Sequence, residues 1–174
     1  PEIIFDMMGF GLFPEKFEQH AARYTQWLTG LFRESIQMVA DGLGLALDEI
    51  TEHSEFELCD EPLQVAAGPI AAGTIAGQRW EWAGVVNGRK KIIHETIWRT
   101  HDSIGDQWPR GNHSVRITGL PDMYVDFGAA WNSDVLLSTA LHAVNAIPSV
   151  CEAAPGIRTL LDLPMIVARG GVSI

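Results

Sequence analysis

The chain has 174 residues, 47% of them apolar and 20% charged, ordinary globular values for one domain that buries roughly 70% of its unfolded surface. With 22 acidic against 12 basic residues the net charge is −10, which excludes nucleic acid and anionic membrane as partners, because both demand basic patches. Cys59 and Cys151 form no CxxC pair and no disulfide framework, so a reducing cytoplasm is expected. No signal peptide is expected, and no apolar run is expected to approach the ~18 residues of a membrane span.

Glu2 to Met8 reads as a short helix stopped at Gly9. The Gly9-Phe10-Gly11 that follows lacks the third glycine of a dinucleotide fingerprint and has no strand before it. From about Ala21 to Leu43 the apolar residues Leu28, Phe32, Ile36, Val39 and Leu43 recur at helical spacing, and Gly42 and Gly44 end the run. Asp48 to Leu58 alternates as a half-exposed strand, with Ile50, Glu52, Ser54, Phe56 and Leu58 on one face and Thr51, His53, Glu55 and Glu57 on the other. Leu63 to Ala67 and Thr74 to Ile75 look extended, broken by Gly68-Pro69 and Gly73.

Gly77 to His101 is the strongest local signal. Two β-branched and aromatic runs meet at Asn87-Gly88, a pair suited to a type I′ turn, which needs φ > 0 at both central residues. A two-residue turn without irregularity sets Trp82 opposite Ile93, Trp80 opposite Glu95, Glu81 opposite His94 and Arg79 opposite Thr96. One face then carries Trp80, Trp82, Val86, Ile93 and Ile97 as core. The other carries Arg79, Glu81, Val85, Ile92, His94, Thr96 and Trp98, ionisable groups among apolar ones. Arg89-Lys90-Lys91 reads as a solvated tip beside the turn.

His101 to Asn112 is a polar loop whose His101, Asp102 and Asp106 lack a third ligand at metal spacing, so no metal site is expected. His94-Glu95 has Trp98 where a zinc protease motif needs a second His. Ser114 to Thr118 and Met123 to Phe127 form a second hairpin, followed by a helix capped at Asn132 or Ser133, and Pro148 then starts another short helix as its first residue. His142 and Asn145 share a helix face. Cys151 has no basic neighbour to activate it. The order of helices, strands and helices predicts an α+β fold: an antiparallel or mixed sheet with helices packed on one face, as a single domain over residues 1–174.

The run TALHAVNAIPSVCEAAPGIRTLLDLP at Thr139 to Pro164, PEIIFDMMGFG at the start and AGTIAGQRWEWAG at Ala72 to Gly84 resemble the dihydrodipicolinate-reductase-like proteins, in particular the 2,4-diaminopentanoate dehydrogenase and native amine dehydrogenase group. The resemblance implies the C-terminal substrate-binding and dimerisation domain of an NAD(P)H-dependent oxidoreductase acting on an amine or imine. It implies a homodimer, a small amine or ketone as substrate, and an N-terminal Rossmann domain that binds NAD or NADP. That domain is expected outside this chain, which begins at Pro1 without a Met and has no GxGxxG after a strand. The fragment alone is expected to be inactive, with the main catalytic acid also lying elsewhere.

Reductive amination and its reverse need a group that manages protons beside the reacting carbon. His94 and Glu81, paired across the hairpin, are the proton-handling candidates, and a cross-strand ion pair on a surface is the plain alternative. Phe5, Met8, His94, Thr96, Trp98, Thr139 and His142 are the expected substrate-binding residues. A stand-alone small-molecule-binding module and a structural dimerisation domain are the competing readings. A strand and Gly-rich turn upstream in the reading frame would separate the first reading from these two.

Overall fold

A computed structural model describes residues 2–167, and the Gly-rich tail lies outside the described residues. They fall into two compact units, one ending at Pro109 and one beginning at Arg110. Each is described by itself.

The first unit opens with α1 (Glu2–Met7) and the long α2 (Pro14–Leu43). Gly9 ends α1 at φ 75°, as expected. Helix α2 starts at Pro14 rather than near Ala21, because Pro at the first helical position lacks an N–H that would be unpaired anyway. It ends at Gly44, which takes the left-handed conformation and donates to the last carbonyls. The buried stripe is Leu28, Ile36 and Ala40, with Phe32 half-buried between them, whereas Val39 and Leu43 are exposed. A strict four-residue spacing keeps Ala40 under the stripe and rotates Val39 out.

Helix α2 packs on a three-stranded antiparallel sheet made of β1 (Glu49–Leu58), β4 (Ile75–Val86) and β5 (Arg89–Arg99), in the order β1-β4-β5. Between them in sequence, β2 (Leu63–Val65) and β3 (Gly68–Ile70) form a small hairpin, so Gly68-Pro69 opens a strand instead of breaking one. The β4–β5 turn is at Asn87 and Gly88, both at positive φ (52° and 69°), as expected.

The expected pairing holds only at its mouth, where Val86 faces Arg89 and Val85 faces Lys90. A bulge then leaves Lys91 without an opposite residue, and Gly84 pairs with Ile92. Because side chains alternate, one extra residue turns the rest of β5 over. His94 faces Trp82, Thr96 faces Trp80 and Trp98 faces Gln78, while Glu81 faces Glu95. The expected Glu81–His94 pair is therefore not formed, and Ile93 is exposed rather than core.

The sheet face under α2 is a ladder of four rungs: Ile50–Gly84–Ile92, Glu52–Trp82–His94, Ser54–Trp80–Thr96 and Phe56–Gln78–Trp98. A Cβ on Gly84 would lie 2.9 Å from the Ile36 methyl, so glycine here lets the helix approach the sheet. Trp82 is fully buried and Trp80 nearly so, and Phe32 stacks on Trp82 at 4.3 Å. The first segment is tied to β4. Buried Gln78 donates through Nε2 to the Met8 carbonyl (2.6 Å) and accepts from Trp80 Nε1 (3.0 Å), while Gly11 and Leu12 bond Ile75.

The opposite face is ionic. Arg79 donates to Glu95 (2.6 Å) and to Glu55 (3.4 Å), and Lys90 pairs with Glu81. Burial pulls the Glu55 carboxyl up, but a hydrogen bond from Trp108 and the charge of Arg79 outweigh it, leaving Glu55 below the usual carboxylate range.

In the second unit β6 (Ser114–Ile117) and β7 (Met123–Asp126) form the expected hairpin, with a cis Leu120-Pro121 bond in its turn. A short helix α3 (Gly128–Ser133) precedes α4 (Val135–Glu152), and Asp134 separates them without a side-chain cap. The helix runs through Pro148 instead of restarting there. By length and composition this one helix among the described residues could cross a membrane, which corrects the expectation that no run approaches a span. Its only charged residue is Glu152, and none of its residues is buried.

Candidate functional site

The α2-covered ladder brings together three of the expected site residues. His94, Thr96 and Trp98 follow one another on the same face of β5. The His94 imidazole stacks under Phe32 at 4.2 Å, and burial pushes its pKa below the ordinary value. A neutral imidazole has one donor and one acceptor nitrogen. His94 Nε2 and Thr96 Oγ1 are both shut off from solvent and have no hydrogen-bond partner among the described residues. Each such atom costs about 1–3 kcal/mol unless a ligand or water meets it.

The other expected residues are placed differently. Met8 is buried in the core cluster with Phe10, Phe17 and Leu28, and Phe5 packs against that cluster with its ring 5.4 Å from Phe10. Glu81 stands on the ionic face, held by Lys90. Thr139 and His142 lie in the second unit on α4, both exposed, and Thr139 donates to the Val135 carbonyl (2.8 Å).

The carboxylate that shares a rung with His94 is Glu52, two strands away and on the other side of Trp82. At the usual strand spacing this separates the two backbones by about 10 Å. Thr29, on α2, donates to Glu52 Oε2 (2.7 Å) and accepts from Trp82 Nε1 (3.4 Å). One hydroxyl thus connects helix, sheet core and carboxylate.

Glu52 edges an open cleft of about 460 Å³ between the first half of α2 and the sheet, lined by Phe17, Thr25, Gln26, Ser54, Phe56 and Trp80 among others. The Phe17 and Phe56 rings are 4.6 Å apart, and Phe56 meets Trp80 edge-on at 6.0 Å. A few polar groups over an aromatic wall suit a small organic ligand. Sequence reasoning missed this cleft. Its available signal was Glu52 itself, a carboxylate in the row of Ile50, Ser54, Phe56 and Leu58.

Among the described residues, the Gly9-Phe10-Gly11 turn does not form a dinucleotide-binding loop. The sheets are antiparallel, and the N–H groups of Gly9 and Gly11, needed by any phosphate loop there, already bond Asp6 and Ile75.

Comparison with known proteins agrees with this architecture. An amine dehydrogenase structure from Mycobacterium smegmatis superposes with a TM-score of 0.67 at 21% identity, over 97% of this chain and 48% of that one, which shows a shared fold. An amine dehydrogenase of Streptomyces virginiae is 33% identical over 147 residues, covering 78% of this chain and 41% of that protein. A 2,4-diaminopentanoate dehydrogenase of Acetoanaerobium sticklandii is 29% identical over 167 residues, covering 93% of this chain and 45% of that protein. The chain thus spans less than half the length of the curated relatives it matches. The profile of the family described as "2,4-diaminopentanoate dehydrogenase C-terminal domain" matches residues 2–172. The chain belongs to that family.

Proposed function

We propose that this chain is the C-terminal substrate-binding and assembly domain of an NAD(P)-dependent oxidoreductase that interconverts a small amine and its ketone through an imine. The observation that carries this reading is the family match over residues 2–172, supported by curated relatives named as dehydrogenases of amines. Both units belong to the one domain in this reading, since the match runs across them.

The division of labour is chemical. A nicotinamide, which supplies or takes up hydride when bound, is held by a separate Rossmann domain, because the Gly9-Phe10-Gly11 turn does not form a loop for its phosphates. This chain holds the organic substrate against the α2-covered face. His94 offers a neutral imidazole whose Nε2 holds or accepts a proton at the buried end of that face. A ligand reaches it only by displacing the Phe32 ring stacked above it. Trp80 and Trp82 keep water from the floor. Glu81 has no part in this, since it stands on the other face. Helix α4, apolar and exposed along its length, is the assembly element, covered by further protein in a cytoplasmic homodimer.

The full-length protein is expected to reduce NAD⁺ or NADP⁺ in the presence of small primary amines. Absence of amine-dependent reduction across a panel of aliphatic amines, with both cofactors, would overturn the assignment.

A further inference from the structure

The three-stranded sheet has two open edges among the described residues, β1 on one side and β5 on the other. An open edge offers a row of backbone N–H and C=O groups to any strand that matches it. β1 carries Glu49, Glu52, Glu55 and Glu57, so its edge repels a second copy of itself. β5 is different. Lys91, Ile93 and Glu95 follow one another along it at two-residue spacing. Lys91 has no opposite residue on β4, and Ile93 is 56% exposed. Both bonds that Arg79 makes to Glu95 end on Oε2, which leaves Oε1 open among the described residues. A cation, an apolar side chain and an anion in that order are complementary to the same row read backwards.

We propose that β5 pairs antiparallel with β5 of a second copy about a two-fold axis at Ile93, which joins the two sheets edge to edge. Ile93 then meets Ile93 of the second copy, Lys91 meets Glu95 and Glu95 meets Lys91. Neighbouring axes are worse. One at Ile92 sets Lys91 against Ile93, one at His94 sets Glu95 against Ile93, and one at Lys91 or Glu95 opposes like charges. The lysine and its bulge also guard the edge, since an arbitrary strand brings no acid to meet them.

Helix α2 supports the same axis. Its flank toward β1 is polar: Thr25, Gln26 and Thr29 line the cleft there, and Arg33 donates to the Ile50 carbonyl. The flank on the other side of its buried stripe carries Trp27 and Leu31, 57% and 43% exposed. A two-fold axis normal to the sheet keeps both helices on one side of it. Because Phe32 stacks on both Trp82 and His94, α2 lies over β4 and β5. At ~4.8 Å per strand the two helix axes come about 10–14 Å apart. The near end of that range is ordinary helix packing, and Trp27 and Leu31 fill the space between. The axis also sets Ile92 of the second copy opposite His94, so a second copy supplies part of the wall of that site. This contact belongs to the first unit, is separate from any made by α4, and goes beyond the oxidoreductase reading without resting on it.

The test is made on the full-length protein carrying Cys151→Ser, which removes the exposed thiol of α4. Antiparallel Cα pairs lie about 4.5–5.5 Å apart, within disulfide range, so Ile93→Cys is expected to form a covalent dimer on mild oxidation. Ile97→Cys is the control. Position 97 lies opposite position 89 of the second copy and about 27 Å from its own counterpart, so it is expected to form none. Sedimentation velocity of Lys91→Glu and Ile93→Asp reads the association itself. Both side chains are exposed and outside the core, so far-UV circular dichroism is expected to match the wild type. Lys91→Glu turns two attractive pairs into two repulsive ones, and the dissociation constant for self-association is expected to rise about tenfold or more. No more covalent dimer in Ile93→Cys than in Ile97→Cys overturns the pairing. So does self-association unchanged in both Lys91→Glu and Ile93→Asp. Neither result bears on the oxidoreductase reading, which stands or falls on amine-dependent reduction.

Discussion

Deletion of Lys91 tests the register on which the site depends. In the bulged hairpin Lys91 is exposed and has no opposite residue, so removing it shortens the strand at its one irregular point. Every pair below it survives: Gly84 still meets Ile92, Trp82 still meets His94 and Gln78 still meets Trp98. The expected cost is within about 1 kcal/mol, the loss of a local bend without loss of a core contact. Under an unbulged register, in which Ile93 and Ile97 lie on the core face, the same deletion would turn both of them over to the opposite face. Ile93 and Ile97 would then forfeit about 1.5–3 kcal/mol each, or about 3–6 kcal/mol together. That is a large share of the ~5–15 kcal/mol that holds a domain together. Urea unfolding followed by tryptophan fluorescence separates the two cases, because the buried Trp80 and Trp82 lie beside the affected strand. A loss above about 3 kcal/mol would refute the bulge and, with it, the placement of His94 under α2.

Two further predictions follow from the same face. Thr29→Val keeps the shape and the β-branch but removes the hydroxyl between Trp82 and Glu52, leaving the buried Trp82 Nε1 without its acceptor. Urea unfolding should show a loss of about 1–2 kcal/mol, with Thr29→Ser close to wild type. If Val and Ser behave alike, the hydroxyl carries no weight. For His94 the folded pKa lies below its ordinary value of 6.5, so the unfolded chain binds the extra proton first as pH falls. Stability is therefore full above about pH 6.5 and declines as pH drops through that value toward the folded pKa. His94→Phe keeps an aromatic ring in the stack and removes the titration, so its melting temperature should change less than wild type between about pH 8 and about pH 5. Parallel curves would contradict a buried neutral imidazole.

The elements that announced themselves in the sequence are those with a strong local cause. Asn87-Gly88 needed positive φ at both residues and has it, and Gly44 ends α2 in the left-handed conformation. Alternation in β1 assigned Ile50, Glu52, Ser54 and Phe56 to one face, as found. The bulge at Lys91 has no comparable signature. A lysine between Lys90 and Ile92 looks the same paired or unpaired, and what decides is how α2 docks on Gly84 and Trp82. Pro148 misled for the opposite reason, because a usually decisive local rule was overridden and α4 continues through it. The cleft was the hardest feature to foresee. Thr25, Gln26 and Thr29 come from a helix whose crossing of the sheet is a tertiary fact, so only Glu52 among its lining polar groups stood out in sequence as out of place.

The central claim is that the α2-covered face of this sheet binds the substrate. Steady-state kinetics of the full-length protein carrying His94→Ala, compared with wild type at saturating cofactor, test it most directly. The account predicts a depressed kcat or a raised KM for the amine, with cofactor affinity unchanged. Kinetics indistinguishable from wild type would contradict it.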